Sequence, residues 1–277
     1  MDLSVISPIR LRLLGGAVDL LTPDEVLRFT ARRVSQGRKA VVANHNAHSL
    51  ALIRACPRMA EFYATADLVE IDSVPLIAWG KLMGVPIGRR HRSTYLDWSE
   101  AFWALAAEQG WRVFHLGGRP GVGELAATAI RSRWPSLNLA VHHGYFDRRT
   151  GSAENGRVLS LINEFQADVV LVGMGMPIQE TWILENRDHL DKGVIFPLGG
   201  AFDFEAGVQV TPPRWLGWLG FEWLFRFATQ PRRLFGRYFI EPWSLMGPAM
   251  NDVLTALRRR KPANRQLGVE LNPFCGD

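Results

Sequence analysis

Between Gly173 and Trp182 the chain reads GMGMPIQETW, directly after the apolar run ADVVLV. Two closely spaced glycines permit a tight turn, a proline can open a helix, and Gln179 and Glu180 fall in that helix's first turn. A helix N-terminus, with unpaired N–H groups and a nearby carboxamide, is suited to holding a sugar or a diphosphate. Glu180 is read as a cap or support for the turn. Junctions of the same kind recur along the chain. Asn44 and Asn46, Asp72, Gly117 and Gly118, Gly144 with Tyr145, and Gly199 to Asp203 each follow a short apolar run. Glycines serve tight turns in any such protein, but most of these turns also carry a polar side chain, which points to a site.

Familiar catalytic signatures are absent: the sequence holds no G-x-S-x-G, Walker loop, H-E-x-x-H or C-x-x-C. GGRPGVGE, Gly117 to Glu124, stands where a phosphate loop would stand, yet it does not match G-x-G-x-x-G. No acidic residue ends the next strand to hold a ribose, which argues against a dehydrogenase. Histidines such as His45, His48, His142 and His143 lack metal-ligand spacing and are expected in the core or in solvent. The nearest approach to a metal-binding D-x-D pair is DFE, Asp203 to Glu205.

These junctions require strands and helices to position them. Thr22 before Pro23, with acids following, predicts a helix that ends near Gly37, and AVVAN then reads as a strand. Helix and strand alternate from there: NAHSLALIRAC, DLVEID, VPLIAWGKLMG, WRVFHLGG, GELAATAIRSRW, LNLAVHHGYF, a helix near 155 to 166, DVVLVG, a helix after Pro177, and KGVIFPLGG. Short apolar strands alternating with amphipathic helices predict an α/β, Rossmann-like, mostly parallel sheet with helices on both faces. Ligands of such sheets bind outside the carboxyl ends of the strands, where the polar junctions lie.

At 277 residues, 47% hydrophobic and 21% charged, the chain is that of an ordered protein with one large core. Two cysteines, Cys56 and Cys275, are too few for a disulfide framework, so a reducing cytoplasm is expected. The N-terminus lacks the apolar centre of a signal peptide and no run reaches a membrane span, so neither export nor a transmembrane segment is expected. The net charge of +5 is modest, but Arg214, Arg226, Arg232, Arg233, Arg237 and Arg258 to Lys261 crowd the C-terminal part. That part should seek an anionic partner; charge alone does not choose among nucleic acid, lipid and diphosphate. The pattern changes after about residue 208, dividing the chain into a core, 1–207, and an appendage, 208–277. In the appendage, Arg214, Glu222 and Arg226 share one third of a helix otherwise rich in tryptophan and phenylalanine. Such a helix could be buried on the sheet, but aromatics interleaved with arginines favour a membrane interface.

Taken in order, NHNAHSL, LVEIDSVPL, HRSTYLDW, FHLGGRPGVGE, GYF, VGMGMPIQE, GGAFDFEAG, PPRWLGWLGFEWLFR and QPRRLFGRY resemble the WecG/TagA/CpsF glycosyltransferases over roughly residues 40–240. The resemblance implies transfer of a sugar, with inversion and without metal or other cofactor, from a nucleotide sugar to a polyprenyl-diphosphate-linked saccharide. It implies that Asp72 is the general base. It places the family's substrate-binding positions on Asn44, Asn46, Arg92, Thr94 and Gln179, and its appendage arginines on Arg226, Arg232, Arg233 and Arg237. Gly117, Gly118, Tyr145, Gly175 and Asp203 complete the expected substrate-binding set, with Arg226 and Arg237 expected in catalysis. Asn44 stands where the family has threonine, Ser73 where most members have glycine, and Thr211 where RAPRW begins with arginine. The implied setting is cytoplasmic, at the inner face of the membrane, in exopolysaccharide or cell-envelope polymer assembly, with a UDP-linked donor and no nucleic acid. The IDSVPLIAWGKLMG and STYLDW stretches look most like the xanthan-type, glucosyl-transferring branch. The competing reading is a non-catalytic membrane scaffold that keeps a nucleotide-sugar fold. A further alternative for Asp72 is a plain cap on the helix beginning near Val74.

Overall fold

A computed structural model describes residues 8–210, 216 and 222–260. Six parallel strands form its centre: β3 (Ala40–His45), β4 (Leu68–Ile71), β5 (Arg112–Gly117), β6 (Asn138–His142), β7 (Val169–Gly173) and β8 (Val194–Pro197). Their order across the sheet is β4-β3-β8-β7-β5-β6, the α/β arrangement expected from the alternating pattern. The strands are apolar on both sides because helices cover both faces.

Adjacent residues of one strand serve opposite cores. Val42, Leu68, Val113, Val169, Leu171, Val194 and Phe196 pack with α1 (Pro23–Ser35), α5 (Tyr95–Glu108), α6 (Val122–Arg133) and α9 (Ala201–Glu205). Val41, Val69, Phe114, Val170, Val172 and Ile195 face α3 (Pro57–Thr65), α7 (Ala153–Glu164) and α8 (Ile178–Asn186). The start of α1 follows its sequence signals: Thr22 Oγ1 accepts from Glu25 N at 3.3 Å, and the Glu25 carboxylate accepts from Thr22 N at 2.7 Å.

A hairpin precedes the sheet, with β1 (Ile9–Leu13) antiparallel to β2 (Gly16–Leu20). Its turn residues, Leu14 and Gly15, both have positive φ, the geometry of a two-residue hairpin loop. Arg10 grips Asp19 through two hydrogen bonds of 2.8 and 2.7 Å, and Asp19 Oδ2 also accepts from Val69 N at 2.8 Å. The hairpin thereby satisfies a backbone donor, Val69 N, on the outer edge of β4.

The C-terminal helical region consists of α10 (Glu222–Thr229), α11 (Pro231–Phe235), a π-helical turn (Gly236–Ile240), a 3-10 turn (Glu241–Leu245) and α12 (Met246–Arg260). The helical path is interrupted at Gln230 and Pro231; Arg214 and Thr211 lie outside the described residues. Leu245 packs with Leu13, Leu50, Ile71 and Leu76. Asp252 Oδ2 accepts from Leu14 N and Trp79 Nε1, both at 2.8 Å, and His48 pairs with Glu241. These contacts seat the region on α2 (Ala47–Ala55), on α4 (Val74–Leu82) and on the hairpin turn, beside the carboxyl end of β4. Among the described residues, no helix is long and apolar enough to cross a membrane.

Candidate active site

The carboxyl ends of the six strands form one row, and the sequence-selected polar residues fall along it. Asp72 leaves β4, Asn46 leaves β3, Gly199 follows β8, Gly175 follows β7, Gly118 follows β5 and Tyr145 follows β6.

At the β4 end, Asp72 N donates to His45 O at 2.9 Å, which fixes the backbone against β3. Asn46 is the N-cap of α2: its Oδ1 accepts from Ser49 N at 3.1 Å, leaving its Nδ2 to donate to Asp72 Oδ2, also at 3.1 Å. The helix cap therefore aims an amide at the carboxylate. Asp72 does not cap α4; Ser73 occupies that position and makes no side-chain cap hydrogen bond. Burial pushes the Asp72 carboxyl above the ordinary aspartate range, while the Asn46 hydrogen bond and the charges of Arg226, Arg237 and Arg92 act in the opposite direction.

Those three arginines come from distant parts of the chain. Arg92 enters on the segment after α4: residue 92 bridges to Ile71, and Ser93 N donates to Ile71 O at 2.9 Å. Ser93 Oγ bonds the buried Glu70, whose carboxyl is pushed up to about 8 by burial. Asp97 accepts from Thr94 Oγ1 at 2.9 Å and pairs with Arg92 Nε at 3.2 Å, so Thr94 and Arg92 share one carboxylate at the start of α5. Arg226, on α10, has a buried Nε without a hydrogen-bond partner among the described residues and lies over the Phe204 ring at 5.4 Å. Arg237 occupies the π-helical turn, a device that recurs at functional sites. Burial lowers its pKa, and Asp72 acts against that shift.

The middle of the row is built from backbone. A Cβ on Gly117 would stand 2.3 Å from Gly173 O, and one on Gly173 would stand 2.7 Å from Gly199 O. At these two positions glycine is required by the close approach of neighbouring loops, a reason internal to the chain. Gly118 N donates to Gly173 O at 3.1 Å and Gly144 N to Gly118 O at 3.0 Å, tying the ends of β5, β6 and β7 together. Gly175 differs, because open space faces its Cβ position and its φ of +80° is what favours glycine.

Gln179 is almost fully buried. Its Oε1 accepts from Gly175 N at 3.1 Å and Gly199 N at 3.0 Å, and its Nε2 donates to Glu180 Oε1 at 2.8 Å. It joins the loops after β7 and β8. Pro177 is the N-cap of α8 rather than its first helical residue. Asn44 likewise bonds inward, Nδ2 to Pro197 O at 2.9 Å, while its carbonyl accepts from Tyr63 at 2.8 Å.

Asp203 and Glu205 of the DFE stretch do not act together. Tyr95 OH donates to Glu205 at 2.7 Å and Arg133 pairs with it, whereas Asp203 is influenced by Arg119 and Arg233. Burial raises the Asp203 pKa against those two charges. Arg119 was not singled out from sequence; its place inside the GGRPGVGE loop was its only signal, and the structure leaves it exposed. Tyr145 is 66% exposed, and Arg232 is exposed. Among the described residues, no three His, Cys, Asp or Glu side chains gather as a metal-binding group.

A parallel α/β sheet that gathers a carboxylate, amides and arginines beyond its strand ends belongs to the class whose ligands bind there. Residues 11–259 match the model of the glycosyl transferase WecG/TagA/CpsF family, and the chain belongs to that family; it is a glycosyltransferase. Two similar proteins are the N-acetylglucosaminyldiphosphoundecaprenol N-acetyl-beta-D-mannosaminyltransferases of Staphylococcus aureus strains MRSA252 and NCTC 8325. Each is 26% identical over 215 residues, covering 74% of this chain and 82% of the relative.

Proposed function

We propose that this enzyme transfers a hexose or N-acetylhexosamine from a UDP-linked donor to a saccharide carried on polyprenyl diphosphate. The step belongs to exopolysaccharide or cell-envelope polymer assembly at the inner face of the cytoplasmic membrane. One observation carries the reading: a half-buried carboxylate, Asp72, is oriented by Asn46 and faced by Arg92, Arg226 and Arg237. The Staphylococcus aureus relatives, by name, act on a diphosphoundecaprenol-linked sugar, which supports the acceptor class.

In this mechanism the acceptor hydroxyl oxygen bonds to the anomeric carbon from the face opposite the leaving group. The bond from that carbon to the diphosphate breaks, so configuration inverts, and the hydroxyl proton passes to Asp72. Burial makes Asp72 more basic and the arginine charges favour its ionised form, two conditions a general base needs. Arg226 and Arg237 are fixed positive charge for the diphosphates, and a site shielded from water strengthens such charge. Arg119, Arg233 and Asp203 border the donor end, where the exposed Tyr145 offers a ring to the base. Asn44, Gln179 and Thr94 support the substrate loops through their internal bonds.

The appendage also supplies a membrane surface. Phe235, Phe239, Ile240, Trp243, Met246, Met250, Leu254 and Leu257 are exposed, close to Arg232, Arg233 and Arg258. Apolar residues bordered by arginines suit an anionic headgroup boundary. A screen of UDP-glucose, UDP-N-acetylmannosamine and related donors against a short-chain lipid-diphosphate sugar, read by mass spectrometry, tests the proposal. Acceptor-dependent glycosylation abolished in Asp72→Asn is expected; donor turnover that ignores the lipid diphosphate would overturn it. Excess chelator should leave the rate largely unchanged, and a requirement for added manganese or magnesium would overturn the metal-free step.

A further inference from the structure

Glu180 is a fully buried carboxylate beside the site that plays no part in the chemistry above. It lies in the first turn of α8, next to Gln179, and the two side chains form a chain of hydrogen bonds. Glu180 Oε1 accepts from Gln179 Nε2 at 2.8 Å, and Gln179 Oε1 accepts from the backbone N–H groups of both Gly175 and Gly199. The loops after β7 and β8 are thus joined through one carboxamide, whose far end is held by one carboxylate. Among the described residues, Glu180 Oε2 is buried without a hydrogen-bond partner. Around the carboxyl, burial and the Gln179 contact dominate, and Tyr63 on α3 is a titratable group that feels its charge.

A buried carboxylate with one oxygen unsatisfied is costly, and a core leucine or methionine would pack α8 without that cost. Its side-chain partner is the residue that staples two substrate-facing loops. We propose that Glu180 is a positioning residue for the donor: it anchors the Gln179 carboxamide, and through it sets the separation of the Gly175 and Gly199 loops between which the donor diphosphate lies. The proposal rests on placing the donor at β8, β7 and β5, in the middle of the row. Loss of Glu180 leaves a buried primary amide without its acceptor and frees the carboxamide to turn away from the two backbone donors.

Glu180→Leu is expected to raise the donor KM about tenfold, in keeping with one buried hydrogen bond lost, while kcat and acceptor KM change less than threefold. Glu180→Gln keeps an acceptor for Gln179 and should stay within threefold of wild type in donor KM. A reciprocal pair gives a test that does not depend on tolerance of leucine. Gln179→Glu sets two carboxyl groups against each other and should raise donor KM. Adding Glu180→Gln restores one donor and one acceptor in swapped positions and should return KM toward wild type. Normal donor KM in both Glu180→Leu and Gln179→Glu, or no recovery in the double variant, overturns the proposal. Titration of the wild-type protein with UDP by calorimetry separates this from failure of the parent reading. If UDP does not bind wild type, the donor assignment itself falls. If UDP binds wild type and Glu180→Leu equally, only the positioning role falls.

Discussion

The middle of the strand-end row and its β4 end are built in opposite ways. In the middle, at β8, β7 and β5, the loops hold one another through backbone N–H groups, glycine contacts and the carboxamide of Gln179, with residues close in sequence to the strands they serve. At the β4 end, Asp72 is surrounded by charge that arrives from far away, with Arg226 and Arg237 lying more than 150 positions later in the chain. The first construction makes a rigid cradle out of the fold itself. The second depends on how α10 and the π-helical turn sit on the core, which makes charge at Asp72 a function of tertiary docking.

The largest effect should come from Asp72→Asn. An amide keeps the size and the Asn46 contact but cannot accept the acceptor's proton, so turnover should fall about 10²- to 10⁴-fold with UDP affinity unchanged. Steady-state rates paired with calorimetric UDP binding check this. A variant that loses donor affinity in step with turnover would erase the distinction between the two regions. Next come Arg237→Ala and Arg226→Ala. Fixed charge on a leaving diphosphate in a shielded site is worth several kcal/mol, so kcat should drop about 10²-fold, with UDP binding weakened by a much smaller factor. If either arginine instead weakened UDP binding tenfold or more without lowering kcat, it would belong to the donor end.

Both regions hold a buried glutamate whose pKa is displaced upward: Glu70 to about 8 beside Asp72, and Glu180 to about 7 beside Gln179, in each case mainly through burial. A carboxyl raised in the folded state contributes stability that is fully present below its unfolded pKa, near 4.5, and is lost as pH rises through the folded value. Wild type should therefore be less stable at pH 9 than at pH 5 through these groups. Glu70→Gln and Glu180→Gln should each flatten that slope by at least ~1 kcal/mol, since one unit of displacement corresponds to about 1.4 kcal/mol. The loss should be complete near pH 7 for Glu180 and near pH 8 for Glu70. Thermal melts across that range test both, and a slope unchanged in both variants would show that neither glutamate keeps its proton.

The cradle was largely legible in sequence and the charged end only in part. Parallel strands buried on both faces announce themselves as apolar runs, so β3 to β8 and the glycine junctions after them could be placed by pattern. Helix α5 could not: YLDWSEAFWALAAE buries Tyr95, Trp98, Phe102 and Trp103, with too many large apolar residues for a clear polar face. The hairpin β1-β2 was hidden because IRLRL carries arginines, and its reason for folding, Asp19 bonding to Val69 across the edge of β4, involves a residue 50 positions away. The same applies to Asp252 with Trp79 and to His48 with Glu241, pairs that no local period could reveal. Asp72 and the appendage arginines were visible through the family resemblance, whereas their convergence, and the inward-facing bonds of Gln179 and Asn44, required the folded chain. Arg119 was missed because a lone arginine in a glycine- and proline-rich loop resembles ordinary surface.

The smallest expected effects sharpen the boundary of the charged end. Arg232 and Arg258 are exposed, and neither counts among the charges acting on Asp72. If they meet lipid headgroups, each should contribute only about 1 kcal/mol to binding an anionic surface, and that contribution should shrink as salt rises. Arg232→Ala and Arg258→Ala should therefore weaken association with phosphatidylglycerol vesicles about fivefold at low ionic strength. Transfer to a water-soluble, short-chain acceptor should stay at the wild-type rate, because no dry diphosphate contact is lost. Arg237→Ala should show the reverse pattern, with vesicle association kept and transfer lost on either acceptor. Cosedimentation with vesicles alongside the soluble-acceptor assay sorts the arginines into these two groups. If Arg232→Ala lowered the soluble-acceptor rate as deeply as Arg237→Ala, the charged end would extend along α11, and the line between membrane contact and catalytic charge would have to be redrawn there.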